Sequence, residues 1–205
     1  MRLVFCGSPE IAIPALQEIV KLCSDSVHQL VGVISQPPRP FGRKKMMTDP
    51  PVAEYAKKYL SISVLQPEKA KDASFLQQLQ ELQPDIVITA AYGQILNEEF
   101  LAIPKRAVIN IHPSALPEFR GATPIQSALL HNLNQSAVTI LFTVKKLDAG
   151  NIIIQKPFEF LETETYEQIG PKMFRLGGQM LKDALEKLAD EKFVGQPQNE
   201  GAVSH

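Results

Sequence analysis

The sequence predicts an α/β fold: a mostly parallel sheet covered by helices on both faces and finished by an antiparallel edge strand. Two patterns carry this expectation. Short, continuous apolar runs recur at 3–6, 30–34, 85–89 and 107–111, and unbroken apolar runs mark strands buried on both faces. Helical patterns separate them, which is the alternation of a parallel sheet with crossover helices. With 44% hydrophobic and 21% charged residues in 205, the chain can bury one good core and is neither disordered nor fibrous.

The first run, Leu3-Val4-Phe5-Cys6, is stopped by Gly7-Ser8-Pro9 and reads as a strand ended by a turn. Pro14 suits the first turn of the following helix, where its missing N–H costs nothing, and Leu16, Ile19 and Val20 continue at helical spacing. Further helical patterns lie at 52–59, 74–82 and 124–130. Two later strand-like runs, 138–144 and 152–160, are joined by 145–151 and close the sheet as its antiparallel edge. The last helix is expected over about 166–188, because Ile169, Met173, Leu176, Met180, Ala184 and Leu188 form one apolar stripe. After Asp190 the hydrophobic period stops. Residues 1–190 therefore read as one domain, and 191–205 as a linker or frayed tail.

Charge and composition narrow the function. Acids (22) and bases (21) nearly cancel, so a nucleic-acid partner must be met by a local patch. Such a patch exists in QPPRPFGRKKMMTDPP at 36–51, where five prolines accompany Arg39, Arg43, Lys44 and Lys45. It reads as a loop able to neutralise phosphates, although most charge runs are merely solvated. Cys6 and Cys23 form neither a disulfide framework nor a CxxC metal site, so no metal is expected. The N-terminus is too briefly apolar for a signal peptide and no run is long enough for a membrane span, so the expected address is the cytoplasm.

A dinucleotide site is disfavoured, since the turn after the first strand has one glycine and no acid closes the second strand. Asn110 and His112 stand at the end of a buried strand, the sheet edge where ligands collect. Being two apart they project to the same side. A proline-punctuated loop, His112-Pro113-Ser114-Ala115-Leu116-Pro117, follows and would hold its backbone still beside these donors, which suits stabilisation of an oxyanion. Asp148, before Ala149 and Gly150, is by itself an ordinary turn former. It gains meaning only if the fold carries it to His112.

The stretches VFCGSPEIAIPAL, QPPRPFGRKK, DIVITAAYGQIL, NIHPSALPEFRGATPIQ and LDAGNIIIQ together resemble the folate-dependent formyltransferases, and within them the catalytic domain of the methionyl-tRNA formyltransferase family, over nearly the whole chain. The resemblance implies a Rossmann-like formyltransferase fold and a catalytic set of Asn110, His112 and Asp148. It implies that Ser114, Ala115, Leu116 and Pro117 contact the folate; Ala115 stands where leucine is commoner, and Pro113 where glycine or alanine is frequent. It also implies that Arg39, Arg43, Lys44 and Lys45 of the QPxRPxGRxKK loop meet the acceptor arm of initiator tRNA. The small C-terminal β-barrel domain of full-length members is absent from this sequence, so 191–205 would lead toward it.

The implied reaction moves the formyl group of 10-formyltetrahydrofolate, a co-substrate needing no metal, to the amine of methionyl-initiator tRNA. The stretch from Ile88 to Tyr92, at another strand end, is expected to line the pteridine slot together with the strand near 139–143, and a monomer is expected. Sugar-nucleotide and glycinamide-ribonucleotide formyltransferases and a formyltetrahydrofolate hydrolase share the three polar residues but would not require the basic loop. From another class, an inactive RNA-binding module on the same fold is the alternative.

Overall fold

The computed structural model describes residues 1–43, 45–161 and 163–204. Strand β1 (Arg2–Gly7) leads through a 3-10 turn, Glu10–Ala12, into α1 (Ile13–Ser24). Next come β2 (Gln29–Ile34), a small hairpin of β3 (Arg39–Phe41) and β4 (Met46–Thr48), α2 (Pro51–Tyr59), β5 (Ser63–Leu65) and α3 (Ala73–Glu81). The second half runs β6 (Ile86–Ala90), α4 (Glu98–Leu101), β7 (Ala107–His112), α5 (Pro124–Leu130), β8 (Gln135–Phe142), β9 (Ile152–Glu159) and α6 (Tyr166–Lys187).

Seven strands form one sheet in the order β5-β2-β1-β6-β7-β8-β9. The first five are parallel, while β8 runs antiparallel to β7 and β9 antiparallel to β8. The expected architecture is therefore present, with two antiparallel strands at its margin. Alternation sorts the core: Leu3 and Phe5 share one face with Leu16, Ile19, Val52 and Met180, whereas Val4 and Cys6 share the other with Phe75, Leu79 and Phe100. Each such side chain, fully removed from water, contributes roughly 1.5–3 kcal/mol before entropy is counted. Helix α6 carries the expected apolar stripe and starts with a capping box, Thr165 with Gln168. The chain leaves β1 toward β2 and later returns on its other side as β6. That reversal opens a crevice at the C-terminal strand ends.

Five elements depart from the sequence reading. The basic loop is partly a hairpin, Arg39 opposite Thr48 and Phe41 opposite Met46. The edge strand β5 and helix α4 are too short to show a period. Strand β8 begins three residues before the expected 138, at the exposed Gln135, where polarity conceals it. Finally, the segment after Asp190 is docked rather than frayed. Gln196 and Ile152 exchange backbone hydrogen bonds of 2.8 Å, and Asn151 Nδ2 donates to the Val194 carbonyl at 2.7 Å. Such attachments use polar side chains and isolated backbone bonds, which leave no hydrophobic periodicity. Among the described residues, no helix is long and apolar enough to cross a membrane.

Gly150 stands where β9 approaches the end of β8 so closely that a Cβ would strike the Phe142 carbonyl. We expect Gly150→Ala to lower the unfolding free energy by about 2 kcal/mol. A urea midpoint that fell with unchanged m-value would bear this out, and an unmoved midpoint would contradict the packing.

Candidate active site

Strand β7 ends with Asn110 and His112 on one side of the sheet, and both line a cleft of about 660 Å³ at the crevice. Asp148 arrives from the β8–β9 connection and lines the same cleft. Its Oδ1 accepts from Asn110 Nδ2 at 3.2 Å and its Oδ2 accepts from the Gly121 N–H at 2.9 Å. The same Oδ2 lies 3.7 Å from His112 Nδ1, too long for a hydrogen bond but within ion-pair range. The Asp148 side chain is only 9% exposed and that of His112 only 5%, so these donors are what makes burial of the carboxylate tolerable.

The local backbone is shaped for this meeting. Asp148 adopts a left-handed conformation (φ 47°), which aspartate tolerates better than most residues. Gly121, at φ 117°, occupies a conformation that suits glycine, and its N–H is the one aimed at the carboxylate. Thr89, at the end of β6, has its hydroxyl 2.8 Å from Asn110 Oδ1. The Asn110 amide is thereby oriented, oxygen toward Thr89 and nitrogen toward Asp148.

His112 is oriented too. Its Nε2 lies 3.0 Å from the Phe119 carbonyl, which can only accept, so Nε2 carries a proton. The imidazole nitrogen left to gain or lose a proton is Nδ1, the one that faces Asp148. Phe119 itself has φ 55°. Its N–H donates to Ser204 Oγ at 2.9 Å and the next N–H, of Arg120, to the Ser204 carbonyl at 2.9 Å.

Of the residues expected at the pteridine slot, Tyr92 lines the cleft, whereas Ile88 is fully buried among Phe5, Ile86 and Ile109 and corrects the expectation. Strand alternation explains this: Thr89, at the strand end, and Ala91 beyond it reach the cleft, while Ile88 points into the core. Among the described residues the Tyr92 hydroxyl has no partner and is buried, and burial first, then the neighbouring Cys6, pushes its pKa upward. Thr143 lines the cleft with a buried hydroxyl that has no partner among the described residues; Thr139 is turned away, donating to the Ser114 carbonyl at 2.6 Å.

Residues 114–117, expected to contact the folate, are not among those that line the cleft, because the chain turns inward after Pro113. Ser114 and Leu116 are buried, Ala115 and Pro117 half-buried, and Pro113 is the residue before them that lines the cleft. Ser114 Oγ donates to the Glu118 carbonyl at 2.7 Å, and Gln155 Nε2 donates to the Leu116 carbonyl at 3.1 Å. In the basic hairpin, Arg39 pairs with Glu68 at 2.8 Å, while Arg43 and Lys45 are exposed beside Phe41, itself 76% exposed; Lys44 lies outside the described residues. Sequence reasoning missed the bond from Thr89 to Asn110, the Phe119 carbonyl, Gly121 and Phe41. Phe41 alone had a visible signal, an aromatic set among prolines and bases.

The family model described as formyl transferase matches residues 1–185. The chain belongs to the formyl transferase family. It is 39% identical over 203 residues to a methionyl-tRNA formyltransferase of Staphylococcus epidermidis and 38% identical over 199 residues to one of Staphylococcus aureus, covering 99% and 97% of this chain. It spans 64% and 62% of those two relatives. Among solved structures it is similar to glycinamide ribonucleotide transformylase 1 from Symbiobacterium toebii, with TM-score 0.76, 24% identity and coverage of 93% of this chain and 88% of that one. The last likeness establishes shared architecture, and membership of the formyl transferase family agrees with the resemblance seen in the sequence.

Arg120, and after it Lys146, hold the Glu200 carboxyl well below its ordinary 4.5, at about 2. A carboxyl lowered on folding contributes stability that is present above its unfolded value and lost as pH falls through the folded one. Hydrogen-exchange protection of 196–204 should therefore hold above pH 4.5 and decline toward pH 2. Added salt should weaken the contact, since Glu200 is solvent-facing. Protection insensitive to both would show that these ion pairs do not hold the segment.

Proposed function

We propose that this formyl transferase moves the formyl group of 10-formyltetrahydrofolate to the amino group of methionyl-initiator tRNA. The observation that carries this reading is the buried Asp148 carboxylate joined to Asn110 and facing His112 at the floor of the cleft. The names of the curated relatives support the choice of acceptor. Residues 1–190 would be the catalytic unit and 191–205 would lead toward the part of the relatives that this chain does not span.

In this mechanism the amine attacks the formyl carbon and gives a tetrahedral intermediate bearing an oxyanion. The second N–H of Asn110, not engaged by Asp148, would donate to that oxygen, and such a preorganised donor acts most strongly where water is excluded. His112 Nδ1 takes the proton from the amine and returns one to the departing folate nitrogen, so the reaction balances without a protein nucleophile or a metal. Asp148 stabilises the imidazolium formed in between. Tyr92 and Thr143 would border the folate slot, and Pro113, ahead of the 114–117 loop, would meet its edge. Arg39, Arg43, Lys44 and Lys45 would neutralise phosphates, with Phe41 supplying a face on which a base can stack.

Formyl transfer should fall by about 10²–10⁴ in His112→Ala and in Asp148→Asn, and by about 10²–10³ in Asn110→Ala. Thr89→Val, which keeps shape but frees the Asn110 amide, should lower kcat on the order of tenfold with little change in KM. Activity with charged initiator tRNA, and its absence with amino-sugar nucleotides and glycinamide ribonucleotide, is the deciding comparison. The reverse preference would reassign the acceptor; folate release without an amine product would indicate a hydrolase, and tRNA binding without transfer an inert module.

For the hairpin, Arg43→Ala should shallow the dependence of log affinity for tRNA on log salt by about one. Phe41→Ala should weaken binding by roughly 1–3 kcal/mol and leave that slope unchanged. Binding unaffected by both substitutions would remove the hairpin from the interface.

A further inference from the structure

The strongest unexplained cluster outside the three polar residues is the side-chain network of the docked terminal segment. Gln198 Nε2 donates to the Asp148 carbonyl at 2.8 Å and to the Gly150 carbonyl at 2.7 Å. Its Oε1 accepts from Arg120 Nε at 3.1 Å and Nη2 at 2.8 Å. Both N–H groups and both lone pairs of the amide are thus used, which leaves it no alternative orientation.

Its two sets of partners belong to different loops. Asp148 and Gly150 lie in the β8–β9 connection. Arg120 sits between Phe119, whose carbonyl receives the His112 Nε2 proton, and Gly121, whose N–H holds Asp148 Oδ2. The Arg120 side chain is 1% exposed and also pairs with Glu200 at 2.7 Å. A buried guanidinium stripped of its acceptors is costly, so its position is strongly set.

We infer that Gln198 is a positioning residue for formyl transfer, a strut that fixes the loop bearing Asp148 against the loop that orients His112. The inference rests on the proposed catalytic role of those two side chains. Gln198 touches no reacting atom; it sets the separation of the imidazole and the carboxylate, and a misplacement of about 1 Å at such a pair is enough to slow a reaction by large factors.

The test separates bracing of Asp148 from simple neutralisation of Arg120. Gln198→Glu keeps an acceptor for Arg120 but loses both donors to the Asp148 loop, whereas Gln198→Ala loses everything. Steady-state assays with 10-formyltetrahydrofolate and charged initiator tRNA should show kcat lowered on the order of tenfold in both variants, with KM for the folate within about twofold. In an Asp148→Asn background, Gln198→Ala should cost nothing further, because the strut acts through that carboxylate. Hydrogen exchange at 145–151 should accelerate in both variants.

Rescue of kcat by Gln198→Glu, an unchanged kcat in Gln198→Ala, or additive losses with Asp148→Asn would overturn the inference. If the parent chain transfers formyl to no amine, the proposed function fails by itself. Exchange at 145–151 then decides the strut alone, and unchanged protection in Gln198→Glu and Gln198→Ala overturns it.

Discussion

A carboxylate removed from water must be met by donors, and the centre of this molecule is organised around satisfying that demand at Asp148. Its donors come from separate stretches of chain, the Asn110 amide on β7 and the Gly121 N–H in the loop beyond it, with the His112 ring alongside. None of the three approaches Asp148 by local sequence. The sheet brings them together: β7 and β8 fix the floor, and the close approach at Gly150 fixes how the β8–β9 connection turns over it.

Rigidity is graded accordingly. Strand β7, which carries Asn110 and His112, is buried in the core, and the positions of both follow from its packing. The loops that complete the site bury two large apolar side chains, Leu116 and Phe119. They are held by individually placed hydrogen bonds, from Thr139 to the Ser114 carbonyl, from Gln155 to the Leu116 carbonyl and from the Phe119 and Arg120 N–H groups to Ser204. Each such bond contributes only about 0.5–1.5 kcal/mol net, so geometry here depends on their number and direction more than on any single one.

What the sequence made legible divides along the same line. The buried strands announce themselves by apolar runs, and alternation placed Asn110 and His112 on one side. The α6 stripe was equally plain. Ile88 was misplaced by one step of that alternation: it sits beside the cleft residue Thr89 in sequence yet faces the opposite way. The convergence of Asp148 could not be read from its own neighbourhood, where Asp-Ala-Gly describes any turn; the family resemblance supplied it. The contacts of Thr89 and Gly121 escaped because their contribution is one hydroxyl and one backbone N–H, which leave no compositional trace. The docked segment escaped because glutamine, glutamate and serine in a chain end resemble solvent-facing text.

The wrapping of that segment bears on where the folding unit should be cut. Hydrophobic periodicity stops near residue 190, and a fragment trimmed there would preserve every strand and all of the α6 stripe. It would also strip the Arg120 guanidinium of both its side-chain acceptors and unpeg the neighbouring backbone at Ser204. Such a fragment could fold yet report misleadingly poor turnover. The economical boundary for expression is therefore set by hydrogen bonding, beyond residue 204, and not by the edge of the apolar core.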